Sequence, residues 1–135
     1  MKVGIVSPVK YLDKCSREFC LCYASLLWSK PYREYFLELD GVVILADSHV
    51  LPRRPALDRL REGVKLLHPN YVILPSMDYS VDKTTRLVRA FLRSVKIRNP
   101  IGVLQGYDLE SMLACYNFLK GVCDLIALPS PLETV

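Results

Sequence analysis

Five times along the chain a short apolar run, rich in branched residues, stops at a polar or turn-forming tail. Val3-Gly4-Ile5-Val6 ends in Ser7-Pro8, and Val42-Val43-Ile44-Leu45-Ala46 ends in Asp47-Ser48. Tyr71-Val72-Ile73-Leu74 leads to Pro75-Ser76-Met77-Asp78, and Ile101-Gly102-Val103-Leu104 to Gln105-Gly106-Tyr107-Asp108. Leu125-Ile126-Ala127-Leu128 ends in Pro129-Ser130. Each run is too brief for a helix and lacks polar alternation, the habit of strands buried on both faces of a parallel sheet. The class is α/β: five parallel strands alternating with helices through right-handed crossovers. Two architectures fit, a partial (β/α) TIM-type barrel or a flavodoxin-like open sheet. An open sheet stands alone at 135 residues, whereas a closed barrel takes about 250. Periodicity therefore favours the open sheet. A barrel fragment would bare its inner face and two strand edges and would need a partner, a second copy or a missing barrel half. In either case the polar tails share one rim at the carboxyl ends of the strands, where α/β folds bind ligands.

Helical spacing fills the intervals. Ser16 caps an expected helix reaching about Trp28, with Phe19, Cys20, Tyr23, Leu26 and Leu27 inward. Pro31 suits the first turn of a short helix over Tyr32 to Leu39, where Tyr32, Tyr35 and Phe36 offer either core or a stacking surface for bases. A third helix spans Ala56 to Leu67 with Leu57, Leu60, Val64 and Leu67 inward. A fourth, capped by Ser80 or Asp82, runs from Lys83 to about Val95 over Leu87, Val88, Phe91, Leu92 and Val95. Asp108 caps the last, with Leu109, Met112, Leu113, Tyr116 and Leu119 inward and Gly121 ending it.

Composition narrows the function classes. Half the residues are hydrophobic and a quarter charged, which is globular rather than disordered usage. No apolar run approaches the roughly 20 residues of a membrane span. Lys10, Asp13 and Lys14 break any signal-peptide layout, so a single cytoplasmic domain with no membrane partner is expected. Five cysteines are an odd count without paired C-x-x-C spacing, which points to free thiols and neither a disulfide framework nor a metal site. No cofactor motif is present. The formal charge of +4 is compatible with nucleic acid without requiring it. Arg86, Arg89, Arg93 and Lys96 form a stripe at spacings of three and four that could follow a phosphate backbone or simply face solvent. His49, on the rim beside Asp47, could relay a proton, whereas His68 at the opposite end reads as structural.

Taken together, the rim motifs resemble the tRNA-guanine transglycosylase superfamily, particularly its branch that inserts 7-deazaguanine bases into DNA. Ile44-Leu45-Ala46-Asp47-Ser48 resembles the strand ending in Asp-Ser-Gly or Asp-Asn-Gly. Tyr71-Val72-Ile73-Leu74-Pro75, followed by Asp82-Lys83-Thr84-Thr85, resembles the strand ending in Pro-Asp with a downstream threonine. Val103-Leu104-Gln105-Gly106 is similar to the strand ending in Gln-Gly, and Asp124-Leu125-Ile126-Ala127-Leu128-Pro129 to the strand after it. The resemblance covers the first part of that family's barrel. It implies Asp47 as acid/base or nucleophile, Gln105 as a hydrogen-bonding partner of the bound base, and tRNA or DNA as the polymer. The sequence departs from the family at His49, where a glycine is usual, and at Ser76, where an aspartate follows the proline. The later strands, with a second aspartate and a cysteine-rich zinc motif, have no counterpart.

The chemistry fits these residues. Base exchange breaks an N-glycosidic bond through an oxocarbenium-like state that a carboxylate can stabilise or trap, a role for Asp47. Ser48 and Asp78 would hydrogen-bond the base, Gln105 offers a donor and an acceptor to a guanine-like edge, Gly106 leaves room for a flat ring, and Tyr107 stacks on it. The alternative is that Asp47 and Asp108 only cap helices and Gln105 closes a turn. Three expectations follow: a transglycosylase-like protein that is incomplete or reduced as a stand-alone chain and acts on guanine or 7-deazaguanine in tRNA or DNA; a non-catalytic base- or nucleic-acid-binding module; or an unrelated oligomeric α/β protein.

Overall fold

The computed structural model describes residues 19–46 and 54–128. Within them, strand β1 (Phe19–Tyr23) leads through a 3-10 segment (Ala24–Trp28) to helix α1 (Lys30–Glu38) and strand β2 (Val42–Ala46). Helix α2 (Arg54–Leu67), strand β3 (Tyr71–Ile73) and helix α3 (Val81–Ser94) follow, then strand β4 (Pro100–Val103), helix α4 (Leu109–Leu119) and strand β5 (Leu125–Ala127). All pairings are parallel and the strands lie in the order 1-2-3-4-5.

That order separates the two architectures. A flavodoxin-like sheet reverses direction, with order 2-1-3-4-5. Here each strand is added beside the previous one, as in the wall of a (β/α) barrel, and the sheet stays open, with β1 and β5 as its edges. The register puts Leu45, Val72 and Gly102 on one face, against which α2 and α4 pack. The glycine Cα positions show how closely they sit: a Cβ at Gly63 of α2 would lie 3.0 Å from Leu45 of β2, and one at Gly102 of β4 would lie 2.8 Å from Leu119 of α4.

The strands are not buried equally on both sides. Cys20, Cys22, Val43, Leu45, Val72 and Leu74 point to the helices and are buried. Leu21, Tyr23, Val42, Ile44, Tyr71, Ile73, Ile101 and Val103 alternate with them and are half-buried. The near-continuous apolar runs therefore reflect one packed face and one apolar but partly open face. At the amino ends of the strands, Asn70 Oδ1 accepts from Val43 N–H at 2.9 Å, and Asn99 Nδ2 donates to the Asn70 carbonyl at 2.8 Å.

Two expectations are corrected. The helix over Ser16 to Trp28 is instead strand β1 and a 3-10 turn from Phe19 onward. Cys20, Cys22 and Ala24 are all buried, so period two wins over the coincidental helical spacing of Phe19, Tyr23 and Leu27. The expected first strand, Val3 to Val6, lies outside the described residues. On α4, Met112, Cys115, Phe118 and Leu119 pack inward, while Leu109, Leu113 and Tyr116 are exposed. Tyr32, Tyr35 and Phe36 belong to the core, with Tyr32 and Phe36 buried and Tyr35 edge-on to Phe36 at 5.2 Å. Cys20, Cys22, Cys115 and Cys123 are buried.

Candidate functional site

The carboxyl ends of β3 and β4 share one rim, and the chain leaves them in two related ways. After β3 it passes Pro75, Ser76 and Met77 and turns over Asp78-Tyr79 into α3, where Ser80 Oγ accepts from Lys83 N–H at 3.3 Å. After β4 it passes Gln105 and Gly106 to Tyr107, then enters α4 through a capping box. Asp108 Oδ1 accepts from Ser111 N–H at 2.7 Å, and Ser111 Oγ accepts from Asp108 N–H at 3.1 Å and Tyr107 N–H at 3.0 Å. These bonds, the Ser111 N–H first, hold the Asp108 carboxyl below its ordinary range. In both units a tyrosine immediately precedes the helix cap.

Gln105 ties the units together. It is buried, its Nε2 donates to Ser76 Oγ at 3.1 Å, and its Oε1 accepts from Tyr79 N–H at 3.2 Å. Thr84, on the first turn of α3, fixes the same loop from below: its hydroxyl accepts from Met77 N–H at 2.9 Å and donates to the Met77 carbonyl at 3.2 Å. A further bond, Ser80 N–H to the Met77 carbonyl at 3.1 Å, closes a turn whose third residue, Tyr79, has φ of +61°. That position in a type II turn normally carries glycine or asparagine. A tyrosine there is strained, and strain of this kind clusters at ligand sites.

Between the amino ends of α3 and α4 lies a cleft of about 430 Å³. Tyr79 and Tyr107 line it, 59% and 77% exposed, together with Asp82, Asp108, Glu110 and Ser111. Among the described residues no lysine, arginine or histidine lines it. Two exposed aromatic rings beside three carboxylates suit a flat, uncharged or cationic ring rich in N–H or O–H donors, and repel a phosphate.

The residues named from sequence divide accordingly. Tyr107 lines the cleft. Gln105 lies behind it, with one donor and its acceptor already engaged by the loop. The space beside Gly106 is filled by α4: a Cβ there would lie 2.7 Å from the Met112 backbone nitrogen, and φ is +157°. Asp78 is exposed in the turn and does not line the cleft. Asp47, Ser48 and His49 lie outside the described residues. Arg86, Arg89 and Arg93 are exposed on α3 and Lys96 is exposed just beyond its end, with the Arg89 guanidinium 5.0 Å over the Phe118 ring.

No family model matches the chain, and neither curated proteins nor solved structures match it. The likeness to transglycosylases thus rests on the rim motifs alone. Tyr79, Glu110 and Ser111 are not singled out by the sequence, and Asp82 only as a helix cap and part of a motif; the repeated tyrosine-before-cap pattern, Tyr79-Ser80 and Tyr107-Asp108, is the available signal. Among the described residues no group of His, Cys, Asp and Glu is arranged to hold a metal ion, and no helix is long and apolar enough to cross a membrane.

Proposed function

We propose that this protein binds a purine-type base, guanine or a 7-deazaguanine, in the cleft between the β3 and β4 ends. The observation that carries the reading is the pairing of Tyr79 and Tyr107 with Asp82, Asp108 and Glu110 in a cleft that no cation among the described residues lines. A guanine-like edge presents adjacent N–H donors that a carboxylate accepts, and its ring offers a face to tyrosine. Gln105 supports the pocket from behind by holding Tyr79, leaving one amide N–H for a ligand. In a nucleic acid the base would enter the cleft while Arg86 and Arg93, about one and three turns beyond Asp82 on α3, meet phosphates.

The test is calorimetric titration with guanine and 7-cyano-7-deazaguanine, alongside Tyr107→Ala and Gln105→Ala. We expect saturable binding that Tyr107→Ala weakens by about tenfold or more, since stacking on one aromatic contributes about 1–3 kcal/mol. Absence of saturable binding to both bases would sink the reading.

Base exchange is the second reading. It is favoured by β2, which runs parallel to β3 and ends at Ala46, the residue before Asp47 in sequence. A carboxylate there would stabilise or trap the oxocarbenium-like sugar. Asp47→Asn should abolish exchange of labelled guanine in tRNA or DNA while keeping base binding. The exposed Leu109, Leu113 and Tyr116 of α4 and Leu125 of the β5 edge support a partner on that side, a second copy or further barrel units, which native mass would resolve.

A further inference from the structure

At the opposite end of the sheet, the carboxyl ends of α2 and α3 and the entry to β3 enclose a second cleft of about 610 Å³. This falls within the roughly 300–1,000 Å³ of small-ligand sites. Its floor is apolar: Val64 and Val72 are buried and Ile97 is half-buried. Its lip is basic, with Lys65, Lys96 and Arg98 exposed around it and His68 beside them. Among the described residues no aspartate or glutamate lines it, the reverse of the tyrosine cleft.

Charge arithmetic shows that these cations exceed what the fold needs. The α2 and α3 carboxyl ends each carry roughly −0.5 of an elementary charge. Lys65, Lys96 and Arg98 supply three permanent positive charges, so about +2 remains. The ion pairs among the described residues are Lys30–Glu34 and Arg61–Asp58, so none of the three cations is neutralised by a carboxylate there. Ser94 also lines the cleft, but its hydroxyl is engaged, accepting from Arg61 Nε at 2.7 Å and donating to the Phe91 carbonyl at 2.8 Å. His68 takes the turn after α2 at φ of +46°, a position glycine usually fills.

We infer that this cleft binds an organic phosphate monoester, its apolar body on Val64, Val72 and Ile97 and its phosphate between Lys65, Lys96 and Arg98. A phosphate monoester carries about −1.5 to −2 at neutral pH, which matches the surplus, whereas a carboxylate supplies half of it. Arg98 can meet two phosphate oxygens at once, and the lysines act as point charges. The site is independent of the base-binding reading.

The experiment is a ¹H–¹⁵N NMR titration of the full chain with phenyl phosphate, inorganic phosphate, benzyl alcohol and a thymidine homopolymer as separate arms. We expect phenyl phosphate to shift the amides of residues 64–72 and 94–98 saturably, at least about tenfold tighter than inorganic phosphate, with no response to benzyl alcohol. Combined Lys96→Gln and Arg98→Gln should weaken phenyl phosphate by about tenfold or more and leave the rest of the spectrum in place. Arg59→Gln, a cation outside the cleft, should change nothing. Equal affinity for inorganic phosphate would overturn the role of the apolar floor, and unchanged affinity in the double variant would overturn that of the cations. Oligonucleotide shifts at these amides without any from phenyl phosphate would reassign the cleft to a polyanion track and overturn the inference.

Discussion

Thr84→Val tests whether the rim loop is held by one hydroxyl. The Thr84 side chain is fully buried, and its Oγ1 satisfies both backbone groups of Met77, accepting at 2.9 Å and donating at 3.2 Å. Valine has nearly the same shape, so no cavity opens and only the hydrogen bonds are lost. Each bond contributes about 0.5–1.5 kcal/mol net, and an orphaned buried group costs about 1–3 kcal/mol. The Met77 bonds are only partly buried, so water can recover some of this, and about 2–3 kcal/mol of destabilisation is expected. Thr84→Ser keeps the hydroxyl and loses one methyl, for about 1 kcal/mol. The order parent, Ser, Val is the reverse of what hydrophobicity at a buried site would give. Urea unfolding followed by far-ultraviolet circular dichroism reads it: with a slope of about 1.5–2 kcal/mol per molar, the valine midpoint should fall by about 1–2 M. If the valine variant unfolds with or after the serine variant, the loop is not held this way. The valine variant should also bind base more weakly, because Tyr79 loses its support.

Gly106→Ala should destabilise by about 2 kcal/mol or more, because the new Cβ meets the Met112 backbone nitrogen at 2.7 Å, where no side chain can swing aside; thermal melting measures it. Asn70→Ala removes the acceptor for Val43 N–H at the β2–β3 junction and should lower stability by about 1–2 kcal/mol in the same urea assay. Burial pushes the Cys22 thiol from 9.0 up to about 12 and the neighbouring Tyr32 phenol upward as well. Below pH 9 both states keep the thiol protonated. Between 9 and 12 only the unfolded chain releases the proton, so Cys22 alone should remove up to about 1.4 kcal/mol of stability per pH unit. Urea midpoints at pH 8, 9.5 and 10.5 should fall, and Cys22→Ala should make the fall shallower.

Much of the architecture is legible in the chain because its signals are local. The runs at Val42, Tyr71, Ile101 and Leu125 became strands, and α2 and α3 bury the faces their spacing indicates. The first unit was misread because Phe19, Cys20 and Tyr23 satisfy both periods, and only tertiary burial of Cys20, Cys22 and Ala24 separates them. On α4 two apolar stripes compete, Met112-Cys115-Leu119 and Leu109-Leu113-Tyr116, and a helix that is apolar on two sides does not announce which one faces the sheet. The rim was legible in position but not in detail. Gln105 meets Ser76 and Tyr79 across 29 and 26 residues, and no local spacing encodes those contacts.

The sequential strand order also bears on how the chain reaches its native state. Each β-α unit touches mainly the units before and after it, so the protein behaves as a short one-dimensional array. Each pair of neighbouring strands is consecutive in sequence, so no contact has to close over more than one crossover, which favours assembly by propagation rather than by a distant nucleus. The three-residue β5, which among the described residues pairs with β4 alone, should open most often, and amide exchange should slow stepwise from it toward β2 and β3.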